Sequence, residues 1–293
     1  MPDRTEAAAL IALLRAGRRP WPECATLVEE AGSAVAVLER ERAAEPPTLF
    51  GEDRPAGELE RIAAEIEGWE AEGMRLHTVL DAGYPENLHA VHDRPPFVFV
   101  TGTLAPADGR AIAVVGARVA SPHGVRAAGE IAEHLVDHGY TVVSGLATGI
   151  DHAAHTAALA RGGRTLAVIG TGLRRSYPPQ HMELQHRIAA QCALVSQFWP
   201  DAPPSRRSFP MRNAVMSGLS LATVVVEASV TSGSRIQARL ALEHGRPVFL
   251  LESLLEQDWA REFAARPGAR VIRSPVEITT FIERLTSPGA LVA

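Results

Sequence analysis

From residue 98 onward short apolar runs alternate with helical stretches, and four of the runs end in loops of Gly, Ser or Arg. The runs are Val98–Val100, Ile112–Val115, Thr141–Ser144, Thr165–Ile169, Leu194–Ser196, Thr223–Val226, Val248–Leu251 and Arg270–Ile272. Between them lie amphipathic stretches at Gly124–His138, His152–Arg161, Met182–Gln191, Arg212–Leu219, Ile236–Glu243, Leu254–Ala265 and Val276–Leu285. Runs apolar on both faces and separated by helices are satisfied as parallel strands covered on both sides. The pattern therefore predicts an α/β fold with a doubly wound, mostly parallel sheet. In such folds ligands sit at the carboxyl ends of the strands.

The N-terminal part has a different texture. Thr5 to Arg42 reads as short helices, with Leu10, Leu13 and Leu14 at helical spacing. The stretch from Ala44 to Gly51 breaks the period and reads as a linker. A further helix, Glu58 to Glu72, carries Leu59, Ile62, Ile66 and Trp69 on one face. The expected organisation is a small helical domain with its linker at 1–72, the sheet domain at 73–286 and a tail at 287–293.

The formal net charge is -5, so a nucleic-acid site has to be a local cluster on an acidic background. The chain contains no Lys, so all 29 basic residues are Arg, whose planar fork suits phosphates and base edges. Cys24 and Cys192 are far apart and lack a CxxC partner, which argues against a disulfide framework or a zinc ribbon. Neither a signal peptide nor a membrane span is expected, and a cytoplasmic location follows as an expectation.

Four strand ends carry the chemistry. The first is Val114-Val115-Gly116-Ala117-Arg118, running through Ser121 to Gly124. Gly116 permits a sharp turn, the following helix offers unpaired N–H groups, and Arg118 adds a fixed cation. The second runs from Ser144-Gly145 to Gly149-Ile150-Asp151, with Asp151 expected to cap the next helix. His152 and His155 follow, and without a further ligand at convincing spacing no metal is expected. His155 is read instead as packing or hydrogen-bonding beneath the loop. The third, Ile169-Gly170-Thr171-Gly172, fails the GxGxxG spacing because residue 175 is Arg, so no dinucleotide cofactor is expected. Arg174 and Arg175 add charge to that rim. The fourth, Val226 to Arg235, places Ser232, Gly233 and Ser234 at a helix start, a good phosphate nest, beside Glu227. Each of these could also be a plain β–α turn; it is their number at one sheet edge that favours a site.

Between the third and fourth loops stands Arg206-Arg207-Ser208-Phe209-Pro210-Met211-Arg212-Asn213. Cations interleaved with an aromatic suit single strands, with Arg on phosphates, Phe stacking a base and Asn reaching a base edge. A solvated loop with Phe209 tucked into the core is the alternative.

In this order the motifs resemble the DprA/Smf family of DNA-processing proteins. The resemblance rests on Val114 to Arg118, Ser144 to Asp151 with His155, Gly163 with Ala167 to Gly172, Tyr177-Pro178, Phe209 to Asn213, and Val226 to Gly233 with Ala241, Glu243, Gly245 and Arg246. Upstream, Tyr84 to Leu88 and Pro95 to Val98 fit the same pattern. It implies an extended Rossmann-like fold, a homodimer, single-stranded DNA binding without catalysis, and delivery of that DNA to RecA in natural transformation or recombination. Of the expected DNA-binding residues, the resemblance implies Arg118, Gly145, Gly149, Arg207, Phe209, Arg212, Asn213, Ser232, Gly233 and Ser234, and the strand-end loops themselves add Gly116, Ser144 and Gly172. The sequence departs from the family at Ala214, where an Arg is usual, and at Leu251 to Leu255, where Val-Pro-Gly is usual. Those departures leave open a phage-defence paralogue or a protein-binding scaffold, and the fold group leaves open a small-nucleotide sensor or phosphoribohydrolase.

Overall fold

The computed structural model describes residues 4–44 and 57–286. Most of the expected linker and the expected tail lie outside the described residues. The N-terminal helices are α1 (Arg4–Ala16), α2 (Trp21–Ala31), α3 (Ala34–Ala43) and α4 (Glu58–Ala71). They lead to β1 (Met74–Thr78), α5 (Glu86–His89) and β2 (Phe97–Gly102). The alternation of strand and helix follows as β3 (Ala111–Val115), α6 (Pro122–Asp137), β4 (Thr141–Ser144), α7 (Ile150–Ala160), β5 (Thr165–Val168), α8 (Met182–Gln191) and β6 (Ala193–Ser196). It continues through α9 (Ser208–Leu219), β7 (Ala222–Val225), α10 (Gly233–Glu243), β8 (Val248–Leu251), α11 (Asp258–Ala264), β9 (Ala269–Ile272) and α12 (Pro275–Thr286).

The strands form one sheet of nine in the order β1-β2-β6-β5-β4-β3-β7-β8-β9. β1 and β2 pair antiparallel, as do β2 and β6, and the remaining pairs are parallel. Period-two alternation splits each central strand between two layers. In β3, Ala111, Ala113 and Val115 face one apolar cluster, shared with α9, α10 and α11. Ile112 and Val114 face the other, beneath α6, α7 and α12. Both faces are therefore buried, which is why the runs carry no polar alternation.

The sequence reading missed β1. Met74 and Leu76 are buried while Arg75 is exposed, so this edge strand alternates and shows no continuous apolar run. The expected helix Leu254–Ala265 is instead a 3-10 turn at Glu252–Glu256 followed by α11. No helix among the described residues is long and apolar enough to cross a membrane.

The N-terminal helices share a core with the antiparallel edge. Ile11, Leu14, Ile66 and Trp69 cluster with Met74, Leu76, Phe97 and Phe99. Trp199, just past β6, closes this cluster, with ring centroids 4.9 Å from Phe97 and 6.0 Å from Trp21. The apolar cluster thus runs across residue 72 without a break.

Candidate nucleic-acid interface

β3 and β7 are neighbours, yet α6 carries the chain from β3 to β4 on one side and α10 carries it from β7 to β8 on the other. Their loops diverge at the carboxyl edge, and such a switch point opens a crevice. A cleft of about 650 Å³ lies there, lined by residues 115–119 of the first loop, Glu227 and residues 231–234 of the last, and Phe209, Arg212 and Asn213 of α9. A second cavity of about 210 Å³ adjoins it, lined by Gly145, Gly170, Tyr177, Pro178 and Gln180. Arg118, Ala147, Phe209 and Arg212 line both and form the shared wall.

Residues 208–211, which precede the expected helix Arg212–Leu219, form the first turn of α9. Ser205 and Ser208 exchange bonds, each backbone N–H donating 3.0 Å to the other's Oγ, and this fixes the helix start. Pro210 is tolerated because first-turn N–H groups have no helical partner. Helical geometry then sorts the motif. Phe209 is half-buried on the shared wall, with its ring 5.6 Å from that of Tyr177 and the Arg118 guanidinium 5.2 Å from its centroid. Gly170 lies beneath the ring; a Cβ there would come 2.9 Å from Phe209 Cδ1. Arg118 is exposed.

Arg212 and Asn213 were expected to meet phosphate and base. Instead both are buried and bonded within the protein. Arg212 Nη1 donates to the carbonyls of Gly145 and, at 2.7 Å, Val168, and its Nε donates to Asn213 Oδ1. Asn213 Nδ2 donates to the carbonyl of Gly233, tying α9 to the start of α10. Burial lowers the Arg212 pKa to about 10, with Asp151 opposing, so the guanidinium stays charged at neutral pH. Asp151 does not cap α7. It lies inside the first turn, where Oδ2 accepts from the amides of Gly145 at 3.1 Å and Ala147 at 3.3 Å. Burial raises the Asp151 pKa, opposed chiefly by Arg212. The 145–147 turn is thus held by a cation on its carbonyl and an anion on its amides. A Cβ at 145 would overlap the Arg212 guanidinium, so glycine here lets that side chain reach the turn.

Four other expected residues do not reach the cleft. Ser144 is fully buried, and its Oγ donates to Val114 O at 2.7 Å, within the sheet. Gly149, with φ 76° and ψ -120°, is where the second loop meets the first; a Cβ would strike the carbonyls of Ala117 and Arg118. Gly172 is packed against the backbone of Trp199 and Pro200. Arg207 is exposed at the start of α9 but lines neither cavity. Arg174, expected at the rim, pairs with Glu72 and Asp201. The common reason is that chain position gives residue type and nearby strand end, while side-chain direction depends on packing.

Two helix starts face the cleft in different states. Glu227 accepts from the amide and, at 2.7 Å, the hydroxyl of Ser121, so an internal carboxylate occupies the start of α6. At α10 the helix begins with Ser232, whose Oγ accepts from Ser234 N, and Gly233 opens onto free space. The positive end of α10 is therefore the one presented to an anion. Asp151, His152 and His155 do not converge on one point: among the described residues they form no metal-ligating group. His155 is fully buried with Nδ1 2.7 Å from Thr165 Oγ1, as its reading beneath the loop requires. Gln257 was not foreseen. It follows the altered 251–255 segment, lines the cleft and donates to Ala228 O at 2.6 Å.

Known proteins share this fold. The family model for DNA recombination-mediator protein A matches residues 75–283. Protein Smf of Escherichia coli is 41% identical over 198 residues, 67% of this chain and 53% of its own length. DNA processing protein DprA of Streptococcus pneumoniae is 40% identical over 174 residues, 59% of this chain and 61% of its own length. The chain thus spans somewhat over half the length of these curated relatives. The X-ray structure of DprA from S. pneumoniae superposes with a TM-score of 0.71 at 29% identity, covering 95% of this chain and 97% of that one. A structure concerned with the single-stranded DNA binding mode of DNA processing protein A from Helicobacter pylori gives 0.63 at 26% identity, over 71% of this chain and 96% of that one. The cleft lies within the matched residues, and this chain belongs to the DNA recombination-mediator protein A family.

Proposed function

We propose that this chain binds single-stranded DNA across the cleft between the β3 and β7 loops, as a non-enzymatic mediator. The carrying observation is the Arg118–Phe209 pair on the wall between the two cavities. It offers a cation for phosphate and a half-buried ring for a base, and the start of α10 supplies a second anion seat. The H. pylori relative, studied for its single-stranded DNA binding mode, supports the same ligand. Homodimerisation and delivery to RecA in transformation or recombination are proposed on family membership.

Fluorescence anisotropy of labelled oligo-dT over a salt series, with duplex in parallel, tests this. The expected result is salt-sensitive binding that prefers the single strand and varies little with base sequence. Absence of binding at low salt would refute it. An enzymatic reading is disfavoured because both cleft carboxylates are engaged, Glu227 by Ser121 and Asp151 by loop amides.

A further inference from the structure

We propose that His92, Asp93 and His244 form a divalent-metal site, suited to zinc, behind the cleft. Their ligand atoms all lie within 4.8 Å of one another. His244 caps the C-terminus of α10, and its side chain is wholly buried. Its Nε2 lies 2.7 Å from Asp93 Oδ1, and its Nδ1 lies 3.0 Å from Ser217 Oγ on α9. His92 stands beside it on the loop before β2, exposed, with ring centroids 5.5 Å apart and the rings at 75°.

This is the chemistry a zinc site needs. Two imidazoles and a carboxylate are common ligands, and water can take a fourth position. The Ser217 contact fixes the His244 ring and directs Nε2 at the ion, as outer-shell hydrogen bonds to ligating histidines do. The C-terminal carbonyls of α10 add negative potential at the same point. Nearby cations are turned elsewhere: Arg94 onto Glu29 and Arg239 onto Glu243. Tetrahedral bonds of about 2.0–2.2 Å require ligand atoms roughly 3.3–3.6 Å apart, so on binding the His244–Asp93 pair opens from its 2.7 Å hydrogen bond and the exposed His92 closes inward.

An ion here would tie the loop before β2 to α9 and α10 at the ends remote from the cleft. Their N-terminal ends carry Phe209 and Gly233, so the brace would hold both in register. Sequence spacing gives no sign of this group, because Asp93 and His244 lie 151 positions apart.

The test is titration of chelator-treated full-length protein with Co²⁺, followed by its visible absorption, then displacement by Zn²⁺. One tetrahedral cobalt per chain is expected. His92→Ala removes an exposed ligand without disturbing the core and should weaken binding at least ~10-fold; Ser217→Ala should weaken it roughly 10- to 100-fold. Melting temperature should rise with metal in the parent and not in His92→Ala. No cobalt uptake overturns the site. So does uptake that His92→Ala leaves unchanged, which would place the ion elsewhere, as at the surface pair His134 and His138.

Discussion

Arg118 lies exposed over the Phe209 ring, whereas Arg212 is buried with its fork on the carbonyls of Gly145 and Val168. The sequence gives both the same charge and both a place near a strand end, but not their burial. Substitution should separate them. Arg118→Ala is expected to weaken single-stranded DNA binding for every sequence and reduce the salt slope by about 0.7, while stability stays within about 0.5 kcal/mol. Arg212→Ala strands buried carbonyls and leaves Asp151 without its cation, at a cost to folding of about 3–5 kcal/mol. Phe209→Ala should cost about 1–3 kcal/mol of binding through lost stacking. Urea denaturation run beside anisotropy makes the distinction. If Arg118→Ala leaves affinity unchanged, or Arg212→Ala leaves stability unchanged, these roles are wrong.

At the scale of the element, legibility followed hydrophobic contrast. The runs buried on both faces were read nearly to the residue, and β8 (Val248–Leu251) and α8 (Met182–Gln191) have the expected bounds. The half-exposed β1 was missed, and α9 began earlier than its apolar period because its start is set by the Ser205–Ser208 bonds. The seat of α7 beneath the second loop carries a pH dependence. His155 on α7 meets Thr165 Oγ1 on β5, and that hydroxyl donates to Val142 O on β4. His155 Nδ1 is therefore the donor, and its buried Nε2 has no hydrogen-bond partner. Burial lowers the His155 pKa from its usual 6.5 to about 3. The unfolded chain binds this proton and the folded chain does not, so stability is present above pH 6.5 and is lost as pH falls toward 3. In that window one such group contributes a slope of about 1.4 kcal/mol per pH unit. His155→Asn keeps a donor to Thr165 and removes the titration. Urea midpoints between pH 7 and pH 4.5 should fall less steeply in the variant by about one proton. Parallel curves would show that His155 does not stay neutral in the fold.

For the whole molecule, alternation of strand and helix was enough to reach the architecture, because each buried strand demands cover on both faces. It could not show what the N-terminal helices cover, since they carry no motif and their partners lie on β1, β2 and the segment after β6. The structure places Met74, Leu76, Phe97 and Phe99 under them, with Trp69, Trp21 and Trp199 closing the seam. Exposing those four strand side chains would cost roughly 1.5–3 kcal/mol each, or about 6–12 kcal/mol together. That is comparable to the roughly 5–15 kcal/mol that holds a whole domain folded. The full chain is therefore expected to melt in one transition whose calorimetric and van't Hoff enthalpies agree. A chain begun at residue 73 should bind hydrophobic dye and unfold at markedly lower urea. Two resolved transitions, or a truncated chain as stable as the parent, would mean that residues 1–72 and 73–286 fold as separate domains, and that the aromatic seam is a contact between finished units rather than part of a single core.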